Sequence, residues 1–358
     1  MKKVLLSVSV FALLAVSCST DLDIAANWKE IPVVYALLNP TDTVHYIKVT
    51  KAFLDPKRSA FEVAQLTDSI FYKDSLVVSV KRKDQWGNVA QEYFPTLVDG
   101  NLIGLAKDSG TFANQPNWLY QLPLTIDNSK NGPDESYELI VQNVSSGLTA
   151  SATTKAVKQF NLSYPPEDSN YLLPAAYINT INETEYKDMR VAWKNAQNGR
   201  YYEMKIEFTY IEFENIPGAP KDTIVIEWKP VGNVSSTSIS AGETLEVSLS
   251  GESFYNFLSK TIGEKPNYTR SLPKFPVKFN FFVAGQELYD LLRVTQAQSG
   301  ITGLQASPDY TNIENGLGLF SSRYNYTTIG FGFNANSIEV LVCGDITSNL
   351  NFVGATCR

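Results

Sequence analysis

Between residues 202 and 210 apolar and polar side chains alternate without a break. Tyr202, Met204, Ile206, Phe208 and Tyr210 fall on one side, and Glu203, Lys205, Glu207 and Thr209 on the other. A period of two marks a half-buried β-strand. The pattern returns at Ile224, Ile226 and Trp228, at Leu245, Val247 and Leu249, and at Val277, Phe279, Phe281 and Val283. Earlier in the chain, residues 31–38 form a nearly continuous apolar run that predicts a buried strand. Residues 44–49 alternate, with His45 on the side of Ile47 and Val49. Leu76, Val78 and Val80 share a face, as do Tyr137, Leu139 and Val141. Residues 148–157 are rich in threonine and alanine, and residues 118–126 alternate with Pro123 suggesting an edge or a bulge. Turn signals such as Trp86-Gly87-Asn88, Asp99-Gly100-Asn101 and Asn131-Gly132-Pro133 separate these runs.

Helical periodicity is confined to short interludes. Residues 253–261 are short and aromatic, and Leu288, Leu291, Leu292 and Thr295 form an amphipathic stripe in residues 286–296. Residues 59–73 make an unusually long connection that predicts a short helix or an excursion over one sheet. Residues 329–333 and 338–342 read as closing strands. The expected class is all-β with minor helices. About seven strands within residues 28–162 predict an N-terminal immunoglobulin-like β-sandwich. Paired prolines at Pro165 and Pro166 mark a junction. Residues 163–358 then read as a second β-rich, sandwich-like domain with two short helices. A chain of 358 residues exceeds the roughly 250–300 that one core organises, which agrees with two domains.

The start of the chain has its own pattern. Lys2 and Lys3 precede an apolar run over residues 4–16, which is shorter than the roughly 20 residues of a lasting bilayer span. Residues 1–17 therefore read as a signal peptide. Leu14-Ala15-Val16-Ser17-Cys18 resembles the bacterial lipobox, which implies lipidation at Cys18 and a membrane partner through that anchor. Ala15 departs from the leucine usual at that place. Residues 18–27 then form a lipidated tether carrying Asp21 and Asp23. The remaining cysteines, Cys343 and Cys357, are expected to close a disulfide in an oxidising compartment, with a metal or redox pair as the competing reading. A net charge of −7 argues against nucleic acid as a partner.

Candidate chemistry is sparse. The single histidine, His45, lies in a strand pattern and reads as a packed or surface residue. The chain has no Gly-x-Ser-x-Gly elbow, no phosphate-binding glycine loop and no His-Glu-x-x-His zinc motif. No cofactor, metal or catalytic residue is assigned, although a Ser-Lys pair or an Asp/Glu pair remains open. In residues 308–322, Asn315, Gly316 and Gly318 predict a tight turn feeding a strand. Calcium on Asp309 and Glu314 is the alternative there. Asp-(Ser/Thr)-aliphatic triplets place Thr43, Ser69, Ser75 and Thr223 in patterns that resemble Bacteroidota O-glycosylation signals. The same triplets also suit turns that enter strands.

Several features together resemble a Bacteroidota family of outer-membrane lipoproteins, the domain of unknown function 4249 type. They are the lipobox, the early strand pair at residues 32–38 and 45–54, and Tyr137-x-Leu139-x-Val141. The proline-marked junction, Asn312-Ile313-x-x-Gly316-x-Gly318-x-Phe320 and the cysteine-containing C-terminus complete the set. The resemblance implies a lipid-anchored outer-membrane location on the periplasmic or cell-surface face, and companionship with an outer-membrane transporter. The resulting expectation is a non-enzymatic binding or accessory module for an outer-membrane transporter, another envelope protein, or an extracellular polymer such as a glycan. A self-associating structural or adhesion protein is the alternative, and a carbohydrate-active enzyme a third.

Overall fold

The computed structural model describes residues 31–52, 58–72, 75–179, 183–230, 232–299 and 310–357. The first half runs β1 (Pro32–Leu38), β2 (Val44–Lys51), β3 (Leu76–Lys83), β4 (Val89–Tyr93), β5 (Thr96–Asp99), β6 (Trp118–Pro123), β7 (Ser136–Asn143) and β8 (Thr149–Lys155). Short strands β9 (Leu162–Tyr164), β10 (Leu172–Leu173), β11 (Ala176–Ile178) and β12 (Thr184–Tyr186) lead into β13 (Asp188–Lys194) and the long β14 (Tyr201–Glu214). Next come β15 (Asp222–Trp228), β16 (Val234–Ser235), β17 (Thr244–Ser250), β18 (Tyr268–Ser271), β19 (Val277–Ala284), β20 (Leu317–Thr327) and β21 (Gly332–Phe333). The fold is mostly β with a few helices, as the alternating pattern predicts. Among the described residues no helix is long and apolar enough to cross a membrane.

One sheet runs through both halves of the chain, in the order β15-β14-β19-β20-β1-β2-β6-β5, with β16 and β18 also on β14. The four-stranded sheet β4-β3-β7-β8 covers one end of it, and the three-stranded sheet β17-β13-β9 lies over the other. Val34, Ala36 and Leu38 of β1 and Ile47 and Val49 of β2 meet Val80, Tyr137 and Leu139 in the first core. Trp193 and Val191 of β13 meet Met204, Ile206 and Phe208 of β14 in the second. A two-sheet sandwich thus forms at each end. The first differs from a self-contained immunoglobulin-like unit, because its core also takes Ile313 and Phe320 from late in the chain.

That borrowing follows from β20, which pairs in parallel with β1 from Val33↔Leu317 to Leu38↔Ser322. β1 lies between β2 and β20, and its outward Leu37 is packed by Leu288 and Leu319, so apolar residues fall on both faces and its sequence alternates little. The entry to β20 is fixed by small residues. Asn315 adopts φ 55°, and Gly318 has φ +110° with the Val34 carbonyl oxygen 1.9 Å from where a Cβ would stand. The Asn312 side chain then clips the strand: its Nδ2 donates to the Phe320 carbonyl at 2.7 Å, and its Oδ1 accepts from the Phe320 amide at 2.9 Å. This is the glycine-dependent turn expected for residues 308–322. Glu314 is engaged in a backbone pair with Ser151, and Asp309 lies outside the described residues.

The helices expected at 253–261 and 286–296 form as Gly251–Ile262 and Gln286–Ser299. Ser250 caps the first, its side chain accepting from the Ser253 amide at 3.2 Å. Two shorter helices, Ala60–Ala64 and Thr67–Ile70, occupy the long connection. The closing strand expected at 338–342 is instead the helix Ala335–Cys343. Asn334 caps it by accepting from the Ser337 amide at 2.8 Å. A short apolar run suits a buried helix as well as a strand, and the Asn cap was the signal that separates them. Of residues 329–333, Gly332–Phe333 pairs with β10, and Phe331 bridges to Val277 at the start of β19. Pro123 is the last residue of β6, which lies between β2 and β5.

Gly318→Ala puts a side chain where β1 and β20 almost touch, in a backbone region that L-residues rarely adopt. It is expected to lower stability by at least about 1–3 kcal/mol, measured as a lower urea midpoint. An unchanged midpoint would show that the β1–β20 approach tolerates a methyl group.

Candidate functional site: a lysine-lined cleft on the outer face

The period of two in β1 and β2 sends Val34, Ile47 and Val49 into the core and turns Val33, Tyr35, Lys48 and Thr50 to the opposite face. Two excursions fold over that outer face. The connection holding helices Ala60–Ala64 and Thr67–Ile70 meets the loop at residues 100–117, and the two clasp each other. The Ala113 amide donates to the Ala64 carbonyl at 2.9 Å, the Thr67 hydroxyl donates to the Gln115 carbonyl at 3.3 Å, and Gln65 Nε2 donates to the Thr111 carbonyl. Ile70, Phe71, Ala113 and Trp118 form a small core beneath the clasp. Asp99 anchors the loop ends, accepting from the amides of Asn101 at 3.0 Å and Asn117 at 2.9 Å.

Between the sheet and these excursions lies an open cleft of about 550 Å³, lined among others by Val33, Tyr35, Phe71 and Phe112. Three lysines also line it: Lys48 and Lys51 from β2, and Lys107 from the loop. Lys48 Nζ donates to Asn117 Oδ1 at 2.9 Å. Lys107 Nζ donates to the carbonyls of Phe112 at 3.2 Å and Ala113 at 3.3 Å, and stands 5.2 Å over the Phe112 ring. Lys51 stands 5.8 Å over the Tyr72 ring. Among the described residues none of the three is paired with a carboxylate. Burial, and then the neighbouring Lys107 charge, hold the Lys48 ammonium below its ordinary pKa. In a chain of net charge −7, the cleft is a local concentration of positive charge that no described carboxylate pairs.

A second hollow, of about 330 Å³, opens where β8 meets the start of the helix Gln286–Ser299, and Thr154, Lys155, Asn198 and Glu287 line it. Glu287 accepts from the hydroxyls of Thr154 at 2.9 Å and Ser321 at 2.8 Å. Burial pushes its carboxyl above the ordinary range, more than these hydrogen bonds pull it down. Lys155 is engaged with Asp134 at 2.5 Å. Among the described residues no group of three or more His, Cys, Asp or Glu is placed to hold a metal ion.

His45 packs inward beside Ile47, as its parity predicts. Its Nε2 donates to the Leu124 carbonyl at 3.1 Å, and its Nδ1 accepts from the Asn39 amide at 3.4 Å. Both nitrogens of a neutral ring are thereby used to tie the β1–β2 turn to the end of β6. Burial lowers the pKa below 6.5, the backbone hydrogen bond to Leu124 opposing it only in part.

Cys18 lies outside the described residues. Cys343 and Cys357 are joined, with 5.6 Å between their Cα atoms. Thr43 is exposed just before β2, and Thr223 is exposed on the edge strand β15. Ser69 and Ser75 are half-buried, the former inside a short helix and the latter just before β3. Thr43, Ser69, Ser75, Thr223, Cys343 and Cys357 do not line the cleft. Sequence reasoning passed over Lys48, Lys51, Lys107 and Glu287. Parity in residues 44–51 already placed Lys48 opposite the core, but the approach of Lys107 depends on the folding of the excursions. Comparison of the chain with protein-family models gives no match, and comparison with curated proteins gives none either.

Two pH effects of opposite sign follow. His45 favours its neutral form in the fold, so its contribution to stability is full above about pH 6.5 and is lost as pH falls toward the folded pKa. As the only histidine, it gives a single imidazole NMR signal whose midpoint is expected below 6.5. A midpoint at or above that value would contradict the buried clamp. Glu287 has a raised pKa, so its contribution is present below 4.5 and is lost as pH rises through the folded value. Glu287→Gln keeps an acceptor for both hydroxyls and is expected to melt higher than the parent at pH 8. That gain should shrink toward pH 4, and a pH-independent difference would remove the linkage.

Proposed function

We propose that this chain is a non-enzymatic binding or accessory module of the cell envelope. It is exported, anchored through a lipid on Cys18 and held at an outer membrane, where it serves a transporter, another envelope protein or an extracellular polymer. The observation that carries this reading is the cleft: three lysines that no carboxylate among the described residues pairs, on aromatic walls, built by two excursions over the sheet. Unneutralised charge in a concave site is what a ligand of opposite charge would complete. The lipobox-like start and the plan that resembles the Bacteroidota lipoproteins support the location, and the disulfide suits an oxidising compartment.

The test compares the native protein with Cys18→Ser and with Lys48→Glu/Lys107→Glu, purified from membranes of the producing cells. Labelled fatty acid should enter the native protein and not Cys18→Ser, which should leave the membrane fraction. A stoichiometric envelope protein or glycan should accompany the native chain and be lost, by tenfold or more, from the lysine variant. Recovery of the chain alone, with identical profiles for native and lysine variants, would overturn the binding role.

A further inference from the structure

We infer that the cleft takes a carbohydrate whose rings carry carboxylates, a uronate-type glycan, in preference to a neutral sugar or a compact phosphate. This rests on the binding-module reading and specifies its ligand. Three observations point the same way.

The first is the distribution of charge. Lys48 and Lys51 come from β2 and Lys107 from the facing loop, so the ammonium groups stand on both walls of the cleft. A phosphate site gathers its donors on one point, through backbone amides at a helix start, a nest or a guanidinium fork. Among the described residues lining this cleft there is no arginine. Separate lysines suit separate single charges, which a chain of uronate rings presents one per ring.

The second is the nature of the walls. Tyr35 projects from the middle of β1 with 52% of its surface exposed, beside the Phe112 ring over which Lys107 stands. A large aromatic side chain open to water inside a concave site suits the C–H face of a pyranose ring, which is apolar while its edge is polar. A bare inorganic anion would leave the Tyr35 ring unused.

The third is donor accounting. A lysine ammonium has three N–H donors. Lys48 commits one, to Asn117, and Lys107 commits two, to the carbonyls of Phe112 and Ala113. Each is therefore held in place by neutral acceptors, and among the described residues keeps a donor and a charge that no carboxylate meets. A neutral sugar would satisfy the donors but not the charges. A carboxylate satisfies both, and its bond to a partly desolvated ammonium is of the stronger, charge-assisted kind.

The experiment is titration calorimetry on the full-length protein in detergent micelles, with trigalacturonic acid, maltotriose and inorganic phosphate as probes. Trigalacturonic acid is expected to bind and to weaken as salt rises, with at least tenfold weaker binding or none for the other two. Lys48→Met/Lys107→Met should lose at least tenfold in affinity while keeping the parent melting temperature and the His45 imidazole signal, which show that the fold is intact. Tyr35→Ala should weaken the uronate without changing its salt dependence. Binding of maltotriose as tight as the uronate, tighter binding of phosphate, or an unaffected lysine variant would each overturn the inference. If trigalacturonic acid fails while the envelope partner still leaves with the lysine substitutions, the ligand class falls and the binding role stands. If both fail, both fall.

Discussion

The parallel pairing of β1 with β20 is the contact on which the rest of the molecule depends. It joins strands from opposite ends of the chain and makes one sheet the common backing of two sandwiches. Closing so long a loop is entropically costly, and the return comes only when Phe320 and Ile313 enter the first core. The approach is so close that only glycine serves at position 318, and the Asn312 amide takes over the hydrogen bonds that an ordinary strand neighbour would make to Phe320. The opposite face of the same strands carries Leu37 and Leu319 under the helix Gln286–Ser299, and Tyr35 in the cleft. The candidate site and the joint between the halves are therefore built on the same strand.

The far end of the molecule is organised differently, around a buried charge. Arg270 on β18 is fully buried and meets Glu212 of β14 through Nε and Nη2, both at 2.8 Å. Its Nη1 donates to the carbonyls of Leu350 at 2.7 Å and Gly263 at 3.1 Å. Burial alone would raise the Glu212 carboxyl, but hydrogen bonds from Lys265 and Arg270 outweigh it and hold the group below its ordinary value. A pair of this kind adds little net stability over an apolar replacement, yet removing one partner strands the other. Here it fixes where the C-terminal stretch lies, and the Cys343–Cys357 bond closes the same stretch from its other end. Phe352, between these two restraints, packs against Phe208 and Tyr210.

Strands whose side chains sort cleanly between core and solvent were legible from residue order. The alternation from Tyr202 to Tyr210 predicts β14, and that of Leu245, Val247 and Leu249 predicts β17. Residues 338–342 were misread, because five apolar-rich residues buried in a helix look like a strand when only hydrophobicity is weighed. The pairing of β20 with β1 could not be read, since period and propensity are local and this contact is not. The cleft was half legible: the parity of β2 points Lys48 outward, whereas the meeting of Lys107, Phe112 and Tyr35 is a product of two loops clasping. Glu287 gave no local sign at all, because its burial comes from Thr154 and Ser321, both distant in the chain.

The position of β1 also bears on how the protein would carry load. Tension entering ahead of Pro32 runs along the axis of a strand bonded on both sides, antiparallel to β2 and parallel to β20. Such a pull shears both ladders together, where an edge strand would be unzipped one bond at a time. Under force the quantity that matters is the rate of unfolding, not the equilibrium stability. Since Val34, Ala36 and Leu38 of the same strand sit in the first core, a pull on it reaches that core directly and the rest of the sheet through β20, so the two halves meet the load as one body.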